Sequence, residues 1–409
     1  MTLIQLSSHI SILLMFCGFL LLLFVFIYNR NNHLKPSKRR KANPDICILI
    51  PARDESKVIR GLLDSLTKQT YPVKMEDVYI IVEDMNDLTV DIAKEFGANI
   101  FLRKDLSKKR KGYALDEAVK MLLEEQKSYD VYFIFDADNI LCDNYMEEMI
   151  ASYQEGYDVG TSYRNCKNGN ASCVASASVL TFSLINTIMN DAKNRSHANV
   201  LITGAGSFID HKWIEKWKGF PFNTLTEDYE LTLYTILHSI PTTFNRNACF
   251  YDEQPKSFSQ SVVQRTRWIR GFLDARREYI PKIRKNIRKK DVNKGSKVTE
   301  VIGIIPYVFL VVGAILYMVV NIIGGFLVEW DFFLRALQML FGIYILLVIV
   351  TIGIFVIDNR LQMNFSSKIK VSFYHPLFLA SYIICALKAI FQKEKIGWAR
   401  IEHDETHVK

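Results

Sequence analysis

Residues 133–140 read FIFDADNI, where the apolar run Val131–Phe135 stops at two carboxylates, Asp136 and Asp138, with one alanine between them. On an extended strand end, side chains two residues apart point the same way. Two such carboxylates repel unless a proton or a cation sits between them, and a hard divalent cation with oxygen ligands is the natural occupant. A strand-terminating turn rich in Asp and Asn is the plainer reading. Lys111 closes the basic patch Lys108–Lys111 and opens a helical stretch. A lysine and a helix N-terminus both attract phosphate, so beside the paired aspartates a diphosphate is the fitting ligand. Thr224–Glu227 (TLTE) matches a capping box, in which Glu227 is structural. Asp228 then projects from the first helical turn, where negative charge is favoured and a carboxylate can act as general base. Gln264, Arg267 and Trp268 cluster on a further helix; alone they read as rim residues.

The elements that must position these groups follow from periodicity. Asp45–Ile50, Val78–Val82, Asn99–Arg103 and Val131–Phe135 are short, continuous apolar runs and predict four strands. Between them Ser56–Gln69, Leu88–Gly97 and Tyr113–Glu125 carry helical spacing. Alternating strands and helices with uninterrupted apolar strands predict an α/β parallel sheet covered on both faces. Ligands bind beyond the carboxyl ends of such strands. There the sequence places Arg53, Asp54 and Glu55 after the first strand, Glu83, Asp84 and Asp87 after the second, and Asp136 and Asp138 after the fourth.

The chain has 409 residues and a formal charge of +8. Leu13–Tyr28 (extended by Ile10–Ile12), Val301–Val328 and Phe333–Ile357 are nearly charge-free, and each is long enough for the roughly 20 residues a bilayer crossing needs. Asn29–Lys41 is basic and no cleavage pattern follows the first run, which favours an uncleaved anchor over a signal peptide. Pro281–Lys297 carries eight basic residues ahead of the second run. The positive-inside rule therefore puts residues 44–297 on the cytoplasmic side of a multi-pass cell-membrane protein. Pro376–Phe391 is short and holds Lys388, and is read as spanning, re-entrant or interfacial. Ser261–Lys290 has one apolar face and one dense in Arg and Lys, interrupted at Pro281. With membrane spans adjacent it reads as an interfacial helix on anionic lipid rather than a nucleic-acid surface. Seven scattered cysteines without a C-x-x-C pair predict neither disulfides nor zinc.

Together these pieces resemble the membrane-embedded family 2 glycosyltransferases, the group that includes hyaluronan, chitin, cellulose and poly-N-acetylglucosamine synthases. ILIPARDE, DADN, TED and QRTRW stand in the family's order over nearly the whole chain, the last matching its Q-x-x-R-W motif. The resemblance implies four parts: an anchor and linker over 1–43, a cytoplasmic GT-A domain over 44–257, an interfacial region over 258–297, and a membrane region with its tail over 298–409. It implies inverting transfer from a UDP-sugar, with UDP-GlcNAc the leading donor, to a growing β-linked polysaccharide that is extruded. Pro51, Ala52 and Glu55 would line the nucleoside pocket, with Glu83 standing where the family usually has aspartate and Asp84 beside it. Lys111, Asp136, Gln264 and Arg267 would meet the donor, and Asp138, with Asp136, would hold Mg2+ or Mn2+. Asp228 would be the base. Gly204, Ala205, Gly206, Glu227 and Trp268 would line the acceptor side. A small membrane region implies an accessory subunit or a second copy to complete a channel. A non-processive enzyme acting on a lipid acceptor is the alternative. A catalytically inactive nucleotide-sugar sensor is a third reading; Glu83 supports it, while Asp138 and Asp228 speak against it.

Overall fold

The computed structural model describes residues 3–288 and 290–391. Helix α1 (Leu3–Tyr28) holds no Asp, Glu, Lys or Arg, is almost wholly apolar from Ile12 onward, and leads to the sheet domain. Strands β1 (Ile46–Pro51), β2 (Val78–Val82), β3 (Asn99–Leu102) and β4 (Val131–Ile134) match the four predicted runs to within a residue or two at each end. They pair in parallel, with β1 between β2 and β4. Helices α2 (Ile59–Thr67), α3 (Leu88–Glu95), α4 (Lys111–Glu124) and α5 (Tyr145–Gln154) cover them.

The strands are continuous apolar runs because both faces are buried. Ile46, Ile48 and Ile50 pack with Leu62, Leu63 and Val90 on one side. Cys47 and Leu49 pack with Leu115, Val119 and Leu122 on the other. The sheet is larger than the four predicted strands. Beyond β4 it continues through β7 (Ser207–Asp210), β6 (Val159–Cys166), β8 (Thr242–Asp252) and β5 (Ile140–Leu141), in the order β3-β2-β1-β4-β7-β6-β8-β5. Strand β7 runs antiparallel to β4 and β6, so the full sheet is mixed.

Helix α6 (Cys173–Leu184) passes through a π-helical turn (Ile185–Asn190) into α7 (Asp191–Arg195). Together they form an apolar helix of membrane-crossing length that the sequence reading did not single out, and most of it is buried. After α8 (His211–Trp217), helix α9 (Glu227–His238) packs on α10 (Phe258–Lys285). Phe272, Ala275, Tyr279 and Ile283 of α10 meet Tyr229, Leu233 and Ile236 of α9.

One expectation for α10 is corrected. The helix runs through Pro281 without a break, four residues before it ends; the backbone hydrogen bond lost to proline there falls in the last turns, where little helix remains to disrupt. Part of its apolar face, Phe272, Ile280 and Ile283, packs with α9. Its opposite flank is also taken, since Arg265 donates to Ser381 Oγ (2.8 Å) and Arg270 to the Ala389 carbonyl (3.2 Å).

Helices α11 (Lys294–Ile302), α12 (Ile305–Leu327), α13 (Asp331–Ile357), α14 (Phe365–Ala380) and α15 (Tyr382–Phe391) complete the described chain. Among the described residues, five helical segments are long and apolar enough to cross a membrane: 3–28, 173–195, 294–327, 331–357 and 365–391. The last begins eleven residues before the predicted Pro376 start, which lies within α14.

Asp358, at the end of α13, ties the apolar helices to the sheet. Its buried carboxylate accepts from the hydroxyls of Tyr163 in β6 and Ser183 in α6. Asp358→Ala leaves two buried hydroxyls without their acceptor, a cost of about 1–3 kcal/mol. A lower thermal midpoint in detergent is expected, largely restored in Asp358→Asn; an unchanged midpoint in Asp358→Ala would contradict the link.

Candidate active site

The carboxyl ends of β1, β2 and β4 open on a cleft of about 240 Å³. Its wall brings together Pro51, Ala52, Glu55, Glu83, Lys111, Asp136, Asp138, Gly204, Glu227, Asp228, Gln264, Arg267 and Trp268. Asp84 is outside it: the side chain is exposed and accepts from the backbone and side chain of Asn86, two residues on, at 2.9 and 3.0 Å. Ala205 and Gly206 lie behind the wall. Ala205 is buried in the core, and a Cβ on Gly206 would meet the Phe250 ring at 2.4 Å. Asp84, expected on the donor side, and Ala205 and Gly206, expected on the acceptor side, are thus not among the residues that the cleft brings together.

Strand β4 ends at Ile134, and the acidic tip is a turn: Asn139 N donates to the Asp136 carbonyl while Asp136 N donates to Asn139 Oδ1, both at 3.0 Å. The turn parts the two carboxylates. Asp136 reaches Lys111 Nζ at 2.5 Å. Asp138 is buried, accepting from Glu253 N at 2.8 Å and from Asn139 Nδ2 at 3.1 Å.

Lys111 is the first residue of α4, as its position in the sequence predicted. Its ammonium also donates to the Gly204 carbonyl (3.1 Å) and lies 3.7 Å from Glu227. Burial works against that charge, but Asp136 and Glu227 outweigh it and hold the lysine protonated. The neighbouring carboxylates feel the opposite effect. Burial pushes Glu227 up to about 7; Lys111 draws it down and the charge of Asp228 raises it further. Burial also raises Asp228, opposed by the Tyr229 N–H and by Lys111, Arg164 and Arg267.

The capping box is not formed. Helix α9 starts at Glu227 with Thr226 at its cap and no side-chain cap bond. The loop is held from inside the helix, where the Glu230 carboxylate accepts the N–H groups of Asn223 and Thr224 at 2.9 Å each. Helix α10 reaches this loop because Gly271 has no side chain: a Cβ there would lie 2.5 Å from Thr226 Oγ1. Arg267 then donates to the Leu225 carbonyl at 3.2 Å. Gly204 adopts φ +85°, and a Cβ there would come within 3.1 Å of Asp228 Oδ2. Only glycine adopts this backbone without strain, and here it also leaves room beside the carboxylate.

Several wall residues escaped the sequence reading. Arg103 is buried and binds Glu83 at 2.8 Å and Glu117 at 3.0 Å, so Glu83 is engaged by Arg103 and, at 3.3 Å, by Arg53. Arg164 donates through Nε to Asp252 at 2.7 Å, donates to the Thr203 carbonyl at 3.1 Å, and lies over the Phe182 ring at 4.0 Å. The only local signal was a charge late in a strand of mixed polarity, Arg164 in β6 and Asp252 at the end of β8.

Among the described residues, no three His, Cys, Asp or Glu side chains converge into a ready metal site. The donor chemistry still suits a hard cation. Asp136 and Asp138 offer carboxylate oxygens to the cleft, and the nearby buried Asp252 Oδ1 has no hydrogen-bond partner. Such a cation fits when a diphosphate completes its ligands.

Residues 44–271, more than half of the chain, match the glycosyltransferase-like family 2. The chain belongs to this family. It is similar to the probable glycosyltransferase YdaM of Bacillus subtilis, 25% identical over 244 residues that make up 56% of each chain. A probable glycosyltransferase of Sulfolobus acidocaldarius is 21% identical over 286 residues, 66% of this chain and 58% of that protein. The chain thus spans little more than half the length of these relatives. A shorter stretch of 77 residues, 18% of this chain and 20% of the relative, is 36% identical to the 4,4'-diaponeurosporenoate glycosyltransferase of Staphylococcus haemolyticus. In three dimensions the chain is similar to the mannosyltransferase PcManGT from Pyrobaculum calidifontis, solved with GDP-Man and Mn2+, at a TM-score of 0.63 and 14% identity over 95% of this chain and all of that one. The mixed sheet with its helices is thus a GT-A glycosyltransferase fold joined to apolar helices.

The raised carboxylates give a pH prediction for this family 2 enzyme. A base must be ionised, so activity falls as pH drops through its pKa, and burial sets that limb above the ordinary carboxylate range. The Asp228 charge that raises Glu227 means that Asp228 is already ionised when Glu227 titrates. Glu227→Gln, which mimics the protonated acid, should therefore leave the acid limb of kcat set by Asp228 in place; a limb that moves to lower pH would contradict this order of titration.

Proposed function

We propose that the chain transfers one sugar from a nucleotide-diphosphate donor to an acceptor hydroxyl, with Asp228 as general base. The observation that carries this reading is the convergence of Lys111, Asp136, Asp138, Asp228 and Arg267, drawn from distant parts of the sequence, on one cleft at the sheet's carboxyl edge. Asp228 takes the acceptor proton as the hydroxyl oxygen bonds to the anomeric carbon. The bond from that carbon to the diphosphate breaks, and the nucleotide leaves with the electron pair. Attack from the face opposite the leaving group inverts an α-linked donor to a β product.

Lys111 and Arg267, with Gln264, are the proposed contacts to the diphosphate, and fixed cations there stabilise the charge that develops on departure. Pro51, Ala52 and Glu55 are the proposed nucleoside wall. Glu83, braced by two arginines, is held in place to accept a base N–H. Asp138 with Asp136 would hold Mg2+ or Mn2+, which when bound supplies Lewis-acid charge to the diphosphate. UDP-GlcNAc is the leading donor from the resemblance, and GDP-mannose, bound in the Pyrobaculum structure, is its natural comparison. The basic flanks of α1 and α12 support a membrane protein with this cleft on the cytoplasmic side.

Processive extension of a β-linked polysaccharide is a second reading. Trp268, edge-on to Phe182 at 6.0 Å and lining the cleft, favours it by offering an aromatic wall to an acceptor sugar.

A donor screen on the reconstituted protein, reading nucleotide release and product mass together, tests the proposal. Release is expected with one donor and a divalent cation. It should drop about 10²–10⁴-fold in Asp228→Asn, and its metal dependence should vanish with activity in Asp138→Ala. Full activity in Asp228→Asn would remove it as base, and a ladder of product masses would establish the processive reading.

A further inference from the structure

A second cavity, about 1360 Å³, adjoins the cleft and shares Arg164, Thr203, Thr226, Asp228 and Trp268 with it. It exceeds the roughly 300–1,000 Å³ of ordinary small-molecule sites. From Asp228 it runs between α1, the α6–α7 segment, α10 and the start of α12. Its walls are mainly aliphatic and aromatic, including Leu22, Leu23, Ile185, Phe272 and Ile304. Ile188 and Met189 of the π-helical turn, and Phe26 of α1, line it while remaining exposed. The mouth is therefore apolar and lies between two helices of membrane-crossing length. A glycan, dense in hydroxyls, would leave its hydrogen-bonding groups unpaired along such a wall; hydrocarbon would not.

The charges lining this cavity are unequal. Arg195 is paired with Asp191 at 2.7 Å and Arg276 with Glu300 at 2.6 Å. Lys193 and Arg30 also line the cavity; neither forms an ion pair among the described residues, although the charge of Glu300, already paired with Arg276, acts on Lys193. Arg30 is exposed at the mouth, its guanidinium 5.6 Å from the Phe26 ring. A phosphate held at the mouth would give both cations an anionic partner.

We propose that the acceptor is a phospholipid: its hydrocarbon occupies this cavity, its phosphate meets Lys193 and Arg30, and a headgroup hydroxyl beyond the phosphate reaches Asp228. This rests on Asp228 marking the reacting end, but the binding it predicts does not require turnover. Fluorescent phosphatidylglycerol, which has a phosphate and free hydroxyls, would be bound to the full-length protein in detergent without donor and compared with fluorescent diacylglycerol. Phosphatidylglycerol is expected to bind at least about tenfold tighter. Lys193→Gln with Arg30→Gln should abolish that difference, and Lys193→Arg should keep it. Ile188→Trp, at the mouth, should weaken both lipids. Equal binding of the two lipids, or a preference unchanged in the double variant while thermal unfolding shows a folded protein, would overturn the proposal. In turnover, the double variant should raise KM for phosphatidylglycerol and spare kcat. Phosphatidylglycerol binding as described, with no sugar transfer from any donor, would leave this site standing and remove the transferase reading instead.

Discussion

One ammonium holds the site together. Lys111 stands among Asp136, half-exposed at the edge of the sheet, and Glu227 and Asp228, held back from water behind it. Like charges in a recess disfavour their own ionisation, and a single lysine cannot neutralise them all. Glu227 accordingly rises to about 7 and Asp228 rises with it. The imbalance suits the proposed chemistry. A carboxylate with a raised pKa is a better proton acceptor near neutrality, and the Asp136–Asp138 turn offers carboxylate oxygens to a cation arriving with a diphosphate.

That arrangement depends on three close approaches of backbone. Lys111 sits where α4 begins, so the helix sets its height above the strand ends. Gly204 turns through a left-handed conformation and leaves space beside Asp228. Gly271 lets α10 press on the loop that starts α9, bringing Arg267 and Trp268 to the same wall. Behind α10, residues 378–389 accept hydrogen bonds from Arg265 and Arg270. The cleft is therefore braced from the membrane side, and movement of the apolar helices would be felt at Arg267.

Much of this was legible in the sequence, and the reasons are physical. A strand buried on both faces must be a continuous apolar run, so β1 to β4 announced themselves and their polar tips marked the ligand edge. Asp136 and Asp138 followed from that edge, while Lys111 and Asp228 were marked by the starts of helices, after a basic patch and after Thr224–Glu227. What escaped was non-local or uniform. Arg164 meets Asp252, 88 residues away, and Arg103 meets Glu83 and Glu117; no local pattern reports such pairs. The 173–195 helix is buried around most of its circumference, so it lacks the one-sided periodicity that reveals surface helices. The capping box was misread because Glu230, one turn further along, holds the loop that Glu227 was expected to hold. Glu227 was thereby freed to face the cleft.

The central claim is that one cleft places a nucleotide diphosphate against Lys111 and Arg267 with the sugar facing Asp228. A cryo-electron microscopy structure with a non-transferable nucleotide-sugar analogue and Mn2+ tests it most directly. The account predicts diphosphate density between Lys111, Arg267 and the Asp136–Asp138 turn, with the anomeric carbon open toward Asp228 and the large apolar cavity. Diphosphate density elsewhere, or a sugar facing away from Asp228, would contradict it.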